Sequence, residues 1–200
     1  MKIIVIGATG TIGRAVVKSL APDNEVVKVA SRHGDFRVDI ASIASIRKLF
    51  QDVGSFDAVV CAAGVAKFGS LDDLSDEDYT LGLTNKLMGQ VNLVRLGRSY
   101  VNDKGSFTLT SGVLSQHPIP GSSSLSMINA AIEGFVRAAA LEMQRGIRLN
   151  AVSPVWVKET MEAMGMGSSS GMPADQVALA YKESVAGDRS GIILDVRQFG

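Results

Sequence analysis

Short apolar runs alternate along the chain with longer segments in which apolar residues recur at helical spacing. The runs are nearly continuous in apolar residues, as strands covered on both faces of a sheet should be. The predicted strands span residues 2–6, 26–30, 36–38, 58–61, 106–110, 148–152 and 192–196. Helices are predicted near residues 12–20, 42–51, 75–101, 124–144 and 174–186. This alternation predicts an α/β fold with a single doubly wound parallel sheet of about seven strands.

The composition is typical of one globular domain. The chain has 200 residues, of which 46% are hydrophobic, and no linker-like stretch divides it. A chain of this length can bury a full core without a break. We therefore expect one domain over residues 1–200.

Charge and cysteine content limit the expected partners. Twenty basic residues balance twenty acidic ones without a basic run, so neither nucleic acid nor a membrane surface is expected. The only cysteine, Cys61, lies in an apolar run and is predicted to be a buried thiol in a reducing compartment, which favours the cytoplasm. Two histidines and one cysteine are too few for a metal cluster, so no metal site is expected. The apolar start is interrupted early by glycine, threonine and Arg14, which argues against a signal peptide.

The first predicted strand ends in a glycine-rich loop that leads directly into a helical pattern. Glycine is needed where a backbone turns tightly, approaches a pyrophosphate closely and lets a helix pack on a strand. Free amide groups at the start of the helix then hold the negative charge. The loop predicts a dinucleotide site in a Rossmann fold, with coenzyme contacts at Gly7, Thr9, Gly10, Thr11, Ile12 and Gly13.

The residues after the second strand bear on the choice of coenzyme. A protein that prefers the unphosphorylated coenzyme places an acid there for the ribose 2′-hydroxyl. This chain has Ser31 and Arg32 instead, and a guanidinium with a hydroxyl favours a 2′-phosphate. NADP(H) is therefore favoured over NAD(H), which stays possible if Arg32 is only a solvated charge and Asp35 makes the ribose contact.

Two further segments are assigned to coenzyme binding. Asp39 and Ile40 follow the third strand, where the Asp39 carboxylate either accepts from the adenine amine or caps the helix that starts near Ser42. Ala62, Ala63 and Gly64 close the fourth strand with small residues. These small residues permit close approach of a flat ring or, alternatively, tight packing of a strand on a helix.

Several segments resemble the short-chain dehydrogenase/reductase family, in matching order along nearly the whole chain. The glycine loop is similar to the family's first motif, and residues 61–64 are similar to its N-N-A-G segment. Residues 130–135 resemble the helix after the family's catalytic Y-x-x-x-K, and residues 147–154 resemble the strand before its P-G motif. The resemblance implies an oxidoreductase with a nicotinamide coenzyme and a small-molecule substrate. It also implies a homodimer or a homotetramer.

The family's catalytic pair is replaced in this chain. Counting back from the matched helix, the family's lysine falls on Asn129 and its tyrosine on Leu125. The family's tyrosine protonates the oxygen that hydride transfer leaves, and loss of such a general acid typically costs about 10²–10⁴ in rate. Tyr100 and Lys104 also fit Y-x-x-x-K, but they precede the serine strand in a segment rich in turn residues, and we interpret the match as accidental.

One further departure suggests a compensating exchange. In the helix before the fifth strand, the family carries an asparagine three residues ahead of a glycine, and this position is Lys86. We hypothesise that Lys86 supplies the missing charge or proton and that Asn129 bonds the ribose. Alternatively, Asn85 keeps the family's role and Lys86 lies in solvent.

The remaining candidates lie after the fifth and sixth strands. Ser111 falls where the family carries its catalytic serine and is predicted to orient a carbonyl, unless it only bonds backbone at the strand end. His117 could shuttle a proton or be merely exposed. Pro154, Val157 and Thr160 are assigned to the coenzyme by the resemblance, with Thr160 one place later than the pattern expects.

The segment 160–172 is predicted as a flexible substrate loop because of its glycine, serine and methionine content. Its methionines could form an adaptable lid over an apolar ligand or pack in a subunit contact. Three functions remain open at this point. The first is an NADP(H)-dependent oxidoreductase on a small carbonyl or alcohol with a non-tyrosine proton donor. The second is a coenzyme-binding sensor without hydride transfer, and the third is a structural subunit that pairs with an active relative.

Overall fold

A computed structural model describes residues 1–199 and contains one seven-stranded parallel sheet. The strands lie in the order β3-β2-β1-β4-β5-β6-β7. Their bounds are β1 Lys2–Ile6, β2 Glu25–Ala30, β3 Phe36–Arg37, β4 Phe56–Cys61, β5 Val101–Thr110, β6 Arg148–Ser153 and β7 Ile193–Asp195. The chain moves outward from β1 to β3 and then returns to add β4 on the other side of β1. This reversal opens a crevice at the carboxyl ends of β1 and β4, where ligands bind in sheets of this kind.

Within residues 1–199 seven α-helices accompany the sheet. They are α1 Thr11–Leu20, α2 Ile43–Val53, α3 Asp76–Leu81, α4 Met88–Gly97, α5 Ser123–Ala139, α6 Lys158–Ala163 and α7 Ala174–Ala186. Short 3₁₀ turns follow β5, α5 and β7 at Val113–Ser115, Ala140–Glu142 and Val196–Gln198. The predicted α/β class and the doubly wound parallel sheet are confirmed.

The core has two layers, one on each side of the sheet. On one face α2, α4 and α5 pack against aromatic and aliphatic side chains that include Phe50, Phe56 and Phe107. On the other face α1 and α7 pack around Val16, Val177 and the fully buried Tyr181. Both faces of the strands are apolar because both are covered, which explains the continuous apolar runs in the sequence.

The helix predicted over residues 75–101 is interrupted. It consists of α3, a π-helical turn at Gly82–Leu87, and α4, and it ends at Gly97. A Cβ at Gly82 would lie 2.3 Å from the Ile128 side chain, so glycine lets this turn pack directly on α5. The wider turn is a common device for redirecting a side chain at a functional site.

Two other boundaries differ from the prediction. Strand β5 begins at Val101 instead of residue 106, although its first half contains Asn, Asp and Gly, because a register shift against β4 accommodates the irregular start. The segment 160–172 is not a loop throughout, since α6 continues to Ala163. Val157 and Met172 form a bridge that closes the base of the segment between them.

The turn between β1 and α1 is packed as tightly as its glycines suggest. A Cβ at Gly13 would lie 1.9 Å from the carbonyl oxygen of Gly7, and a Cβ at Gly7, where φ is +84°, would lie 2.6 Å from the carbonyl oxygen of Ala62. Neither contact can relax by moving a flexible side chain. Only glycine at these positions brings α1 onto the sheet.

A pair of glycine-to-alanine variants tests this packing. We expect Gly13→Ala to lower the free energy of unfolding by at least about 1 kcal/mol because the new methyl group meets backbone. Gly134→Ala is the control, since Gly134 lies inside α5 with no other atom near its Cβ position, and helix propensity predicts a gain of about 0.5–1 kcal/mol. Urea unfolding measures both; equal effects of the two substitutions would contradict the account of the turn.

Candidate active site

Two adjoining pockets form one cleft over the carboxyl ends of the strands. The β2-side pocket has a volume of about 360 Å³ and the β5-side pocket about 280 Å³. They share Ala62, Ala63 and Gly64 at the end of β4. Small side chains at this border leave the two pockets continuous, as an extended two-part ligand requires.

The β2-side pocket collects most of the predicted adenosine-side contacts. Besides the shared residues it is lined by Ile6, Gly7, Thr9, Gly10, Ala30, Ser31, Val38, Asp39, Ile40, Val65 and Asn85. Ile6, Ala30, Val38 and Val65 were not among the predicted contacts, and Asn85 was named only as the alternative to Lys86; the fold brings all five into the pocket. Asn85 does not face the other pocket; its Oδ1 accepts from the Val65 amide at 2.8 Å.

The start of α1 presents unpaired donors to this cleft. The Gly10 cap makes no side-chain bond, and the first helical bond runs from the Arg14 amide to the Gly10 carbonyl. Within residues 1–199 the amides of Thr11, Ile12 and Gly13 therefore have no backbone acceptor. Orphan amides at a helix N-terminus favour a negative group such as a pyrophosphate. The chemistry of this end of the cleft thus fits a dinucleotide.

The side chains after β2 lack a free acid. Asp35 accepts from the Lys28 amide at 2.8 Å through its Oδ2, so this carboxylate holds the β2–β3 turn. Ser31 lines the β2-side pocket, whereas Arg32 is exposed next to it and does not line it. The alternative in which Asp35 makes the ribose contact has no support in this arrangement.

Asp39 is exposed at the edge of the β2-side pocket and does not cap α2. Its Oδ1 accepts from the Ala41 amide at 2.9 Å. The cap is Ser42, whose hydroxyl accepts from the Ser45 amide at 3.2 Å. The capping alternative for Asp39 is therefore wrong, and Asp39 and Ile40 both line the pocket.

The β5-side pocket is lined mostly by apolar side chains. The ends of β4, β5 and β6 surround it together with helical residues, and its remaining lining residues are Ile12, Lys86, Thr110, Ser111, Gly112, Val113, Leu114, Leu125, Asn129, Pro154, Val155, Trp156, Val157 and Thr160. Lys86 is the only titratable side chain among them. Pro154, Val157, Thr160 and Ile12 lie where the coenzyme assignment placed them, and Leu114 and Trp156 are additions that the sequence did not signal.

The π-helical turn directs Lys86 into this pocket. Its ammonium donates to Asn129 Oδ1 at 2.7 Å and to the Ser111 carbonyl at 3.2 Å. The stem of the lysine lies against Gly64, where a Cβ would come within 2.7 Å of Lys86 Cγ. Burial lowers the pKa of Lys86 to about 8, because the charged ammonium loses water and gains only neutral acceptors. The alternative that leaves Lys86 in solvent is wrong.

Ser111 lies at the end of β5 but its hydroxyl faces away from the pocket. Its side chain is buried, and Oγ donates to Glu133 Oε1 at 3.3 Å and is 3.4 Å from the Val152 carbonyl. Side chains alternate along a strand, so Ser111 shares the α5-facing side of β5 with Phe107 and Leu109. The prediction that its hydroxyl orients a carbonyl is therefore not supported; Ser111 contributes only its backbone carbonyl.

Gly112 takes the position in the pocket that was assigned to a serine hydroxyl. A Cβ there would lie 2.8 Å from Asn129 Nδ2. Glu133 on α5 anchors the turn at Val113–Ser115, because Ser115 and Ser111 both donate to its Oε1. Arg137 donates to Oε2 of the same carboxylate at 3.2 Å. The wall between β5 and α5 is thus formed by backbone, Leu125 and Asn129.

The other hydroxyl and imidazole candidates lie elsewhere. Tyr181 is fully buried, with its hydroxyl 2.6 Å from Thr110 Oγ1, and burial raises its pKa. Tyr79 bonds Ser123, and Tyr100 stacks on Phe50 at the opposite end of β5. His117 is exposed and 3.5 Å from Arg197 in a separate depression. None of these side chains lines the β5-side pocket.

The remaining expectations concern features beyond the two pockets. Thr11 lies at the start of α1 on a neighbouring depression, and Gly13 is buried under the turn. The Cys61 thiol is buried, and burial raises its pKa to about 12. Among residues 1–199 no group of three or more histidine, cysteine or acidic side chains could hold a metal ion. No helix in that range is long and apolar enough to cross a bilayer.

Comparison with known proteins places this cleft in a family. Residues 7–186 match the family model described as enoyl-(acyl carrier protein) reductase. The chain is 29% identical over 156 residues to the hydroxynaphthalene reductase arp2 of Aspergillus fumigatus, which covers 72% of this chain and 57% of that protein. The chain thus spans little more than half the length of the curated relatives it matches.

Two solved structures share the fold over almost their whole length. The protein lin1944 from Listeria innocua is 42% identical, with a TM-score of 0.94, and the match covers 98% of this chain and 99% of that one. A small-chain dehydrogenase in complex with NADPH is 27% identical, with a TM-score of 0.87 and coverage of 98% and 95%. The chain belongs to the short-chain dehydrogenase/reductase family.

Proposed function

We propose that the protein is an NADP(H)-dependent oxidoreductase that reduces a small carbonyl compound, or oxidises the corresponding alcohol, with Lys86 as the proton donor. One observation carries the proposal: Lys86 is the only titratable side chain that lines the β5-side pocket. In this reading the chain is an atypical member of its family, with Leu125 and Asn129 in place of the tyrosine and the lysine.

The cleft suits a nicotinamide coenzyme with its adenosine half in the β2-side pocket. The orphan amides of α1 would hold the pyrophosphate, Asp39 and Ile40 would flank the adenine, and Ser31 with Arg32 would meet a 2′-phosphate. When bound, the reduced coenzyme supplies a hydride to a carbonyl carbon. The NADPH complex of a structural relative supports this choice.

Lys86 can serve as the acid because one of its protons is uncommitted. An ammonium has three N–H donors, and two of them go to Asn129 and to the Ser111 carbonyl. The third is left for a substrate oxygen that becomes negative as the carbonyl π electrons move onto it. A pKa of about 8 keeps the group protonated at neutral pH and close to the range in which proton transfer is effective.

Asn129 acts on the substrate through Lys86. Its Oδ1 accepts the 2.7 Å bond that fixes the ammonium, and its side chain is buried. Because Asn129 is neutral, it positions the lysine without pairing its charge. Leu125 offers no proton and shapes the apolar wall next to the reacting oxygen.

A coenzyme sensor without hydride transfer is the second candidate function. It is favoured by the hydroxyl of Ser111, which is turned away from the pocket, and by Leu125, which replaces a proton donor with an alkyl group. This candidate predicts tight coenzyme binding with no turnover of any carbonyl compound.

Calorimetric titration tests the coenzyme assignment. We expect NADPH to bind more tightly than NADH, and Arg32→Ala to weaken NADPH binding by about 10- to 100-fold while NADH is unaffected, because only the 2′-phosphate is lost as a partner. Arg47→Ala is the matched control, since Arg47 is an exposed arginine on α2 outside both pockets. Equal affinities of the wild-type protein for the two coenzymes would contradict the NADP(H) assignment.

The pH dependence of carbonyl reduction tests Lys86. Since the ammonium must give up its proton, kcat is expected to be level below pH 8 and to fall above the pKa of about 8. Lys86→Met should lower kcat by about 10²–10⁴ and remove this dependence. The same variant should unfold at an equal or higher temperature, because it removes a partly buried charge. A wild-type rate that stays level up to pH 10 would exclude Lys86 as the acid.

Exchange of the two side chains tests whether position or charge matters. Lys86→Asn and Asn129→Lys should each lose most of the activity. Combined, they should recover part of it, because the ammonium would return to the same region from the facing helix. Both changes together preserve composition and charge, and the Nζ–Oδ1 distance of 2.7 Å makes the swap local. No recovery in a double variant of normal stability would argue against the exchange.

A further inference from the structure

The β5-side pocket also limits the kind of substrate. We propose that it takes a monocyclic aromatic aldehyde or ketone, whose ring lies against Trp156 and whose oxygen accepts from Lys86. This inference rests on the proposed function, because it names the substrate class for the same pocket.

The volume of the pocket sets the size of the substrate. The pocket measures about 280 Å³, and a cavity of about 150 Å³ is sufficient to bind benzene. A nicotinamide ring and one further six-membered ring therefore account for the space. A fused bicyclic system would have to extend beyond the walls into the mouth.

The walls favour a ring over a polar chain. Leu114, Leu125, Val155 and Trp156 present apolar surface, and no carboxylate lines the pocket. A sugar would leave several hydroxyl groups without partners here, and an unpaired buried hydroxyl is costly. An aromatic ring has no hydroxyl group to leave unpaired and gains an offset or edge contact with the indole.

An aromatic pair adjoins the pocket, which Trp156 lines and Phe68 does not. Phe68 and Trp156 lie edge to face, with ring centroids 6.3 Å apart and an interplanar angle of 68°. Phe68 is fixed from behind by Gly121, where a Cβ would lie 2.8 Å from the phenyl ring, and the Gly69 amide donates to the Gly121 carbonyl at 2.9 Å. The loops after β4, β5 and β6 thus converge on one aromatic edge.

Lys86 sets the charge of the ligand at the far end of the pocket. Its hydrogen-bond partners are neutral carbonyl oxygens, so its charge has no counter-ion among the lining residues. A ligand that fits this charge carries one oxygen atom on its ring substituent, and negative charge develops on that oxygen during reduction. A phenolate imitates this oxygen without reacting.

The experiment uses 4-nitrophenol, whose phenolate absorbs visible light. We expect it to bind the protein with and without NADP⁺, to quench the fluorescence of Trp156, the only tryptophan, and to ionise at lower pH when bound. The Lys86→Met variant should still bind 4-nitrophenol, but the bound phenol should no longer ionise at a lower pH than the free phenol. Trp156→Leu and Phe68→Ala should weaken binding, read by absorbance, by about 3- to 10-fold. Leu71→Ala is the matched control, because Leu71 is 73% exposed on the Phe68 loop and lies outside the pocket.

Turnover provides an independent comparison. With NADPH, benzaldehyde should be reduced with a lower KM than hexanal, and the bicyclic ketone 1-tetralone should be poorer than acetophenone. Hexanal or 1-tetralone as the better substrate, or 4-nitrophenol binding that ignores both Lys86 and Trp156, would overturn the proposal. If the protein binds 4-nitrophenol but does not bind NADPH, the proposed ligand class is supported and the proposed function is wrong. If the protein binds NADPH but not 4-nitrophenol, the proposed ligand class is wrong and the coenzyme assignment is supported.

Discussion

The hydrogen bond between the Lys86 ammonium and Asn129 Oδ1 is the interaction on which the cleft depends. It joins the helix pair formed by α3 and α4 to α5, and it places the single charge of the β5-side pocket. Three local features make it possible. The π-helical turn aims the lysine, Gly82 lets that turn approach α5, and Gly64 leaves room for the lysine stem. None of these features would be needed to build the sheet alone.

The sequence predicts the sheet well because burial on both faces imposes a pattern on every strand. Strand β4 and the turn after β1 could be predicted because each apolar run ends in glycine or other small residues. The turn lies where predicted, and β4 ends at Cys61 as predicted but begins two residues earlier, at Phe56. The π-helical turn was missed, because a single extra residue in a helical turn hardly disturbs the spacing of apolar positions. The irregular start of β5 was missed because Val101 pairs with Phe56 ahead of four residues that the regular pairing with β4 skips until Ser106.

The site was predicted unevenly, and Ser111 illustrates the cause. Ser111 follows the end of β5 as expected, but its side chain bonds Glu133 and does not face the pocket. Leu109 and Phe107, which lie two and four residues before Ser111, already indicate which face of an extended β5 packs against α5, and the buried Glu133 completes that environment. Lys86 and Asn129 are 43 residues apart in the chain, and the sequence linked them only because both depart from the pattern of the family that the chain resembles. The apolar character of Trp156 and Leu114 in the pocket, in contrast, emerges only once three loops meet.

The proposed lysine acid suits an apolar pocket for an electrostatic reason. When a phenol protonates an oxyanion, the negative charge is moved to the phenolate and still has to be stabilised. When an ammonium protonates an oxyanion, both charges disappear, and this gain is larger where the dielectric constant is low. The same burial that lowers the pKa of Lys86 to about 8 therefore strengthens it as an acid toward a developing oxyanion. Leu125 in the wall of the pocket is consistent with the proposed chemistry, because an alkyl side chain excludes water from the pair that would be neutralised.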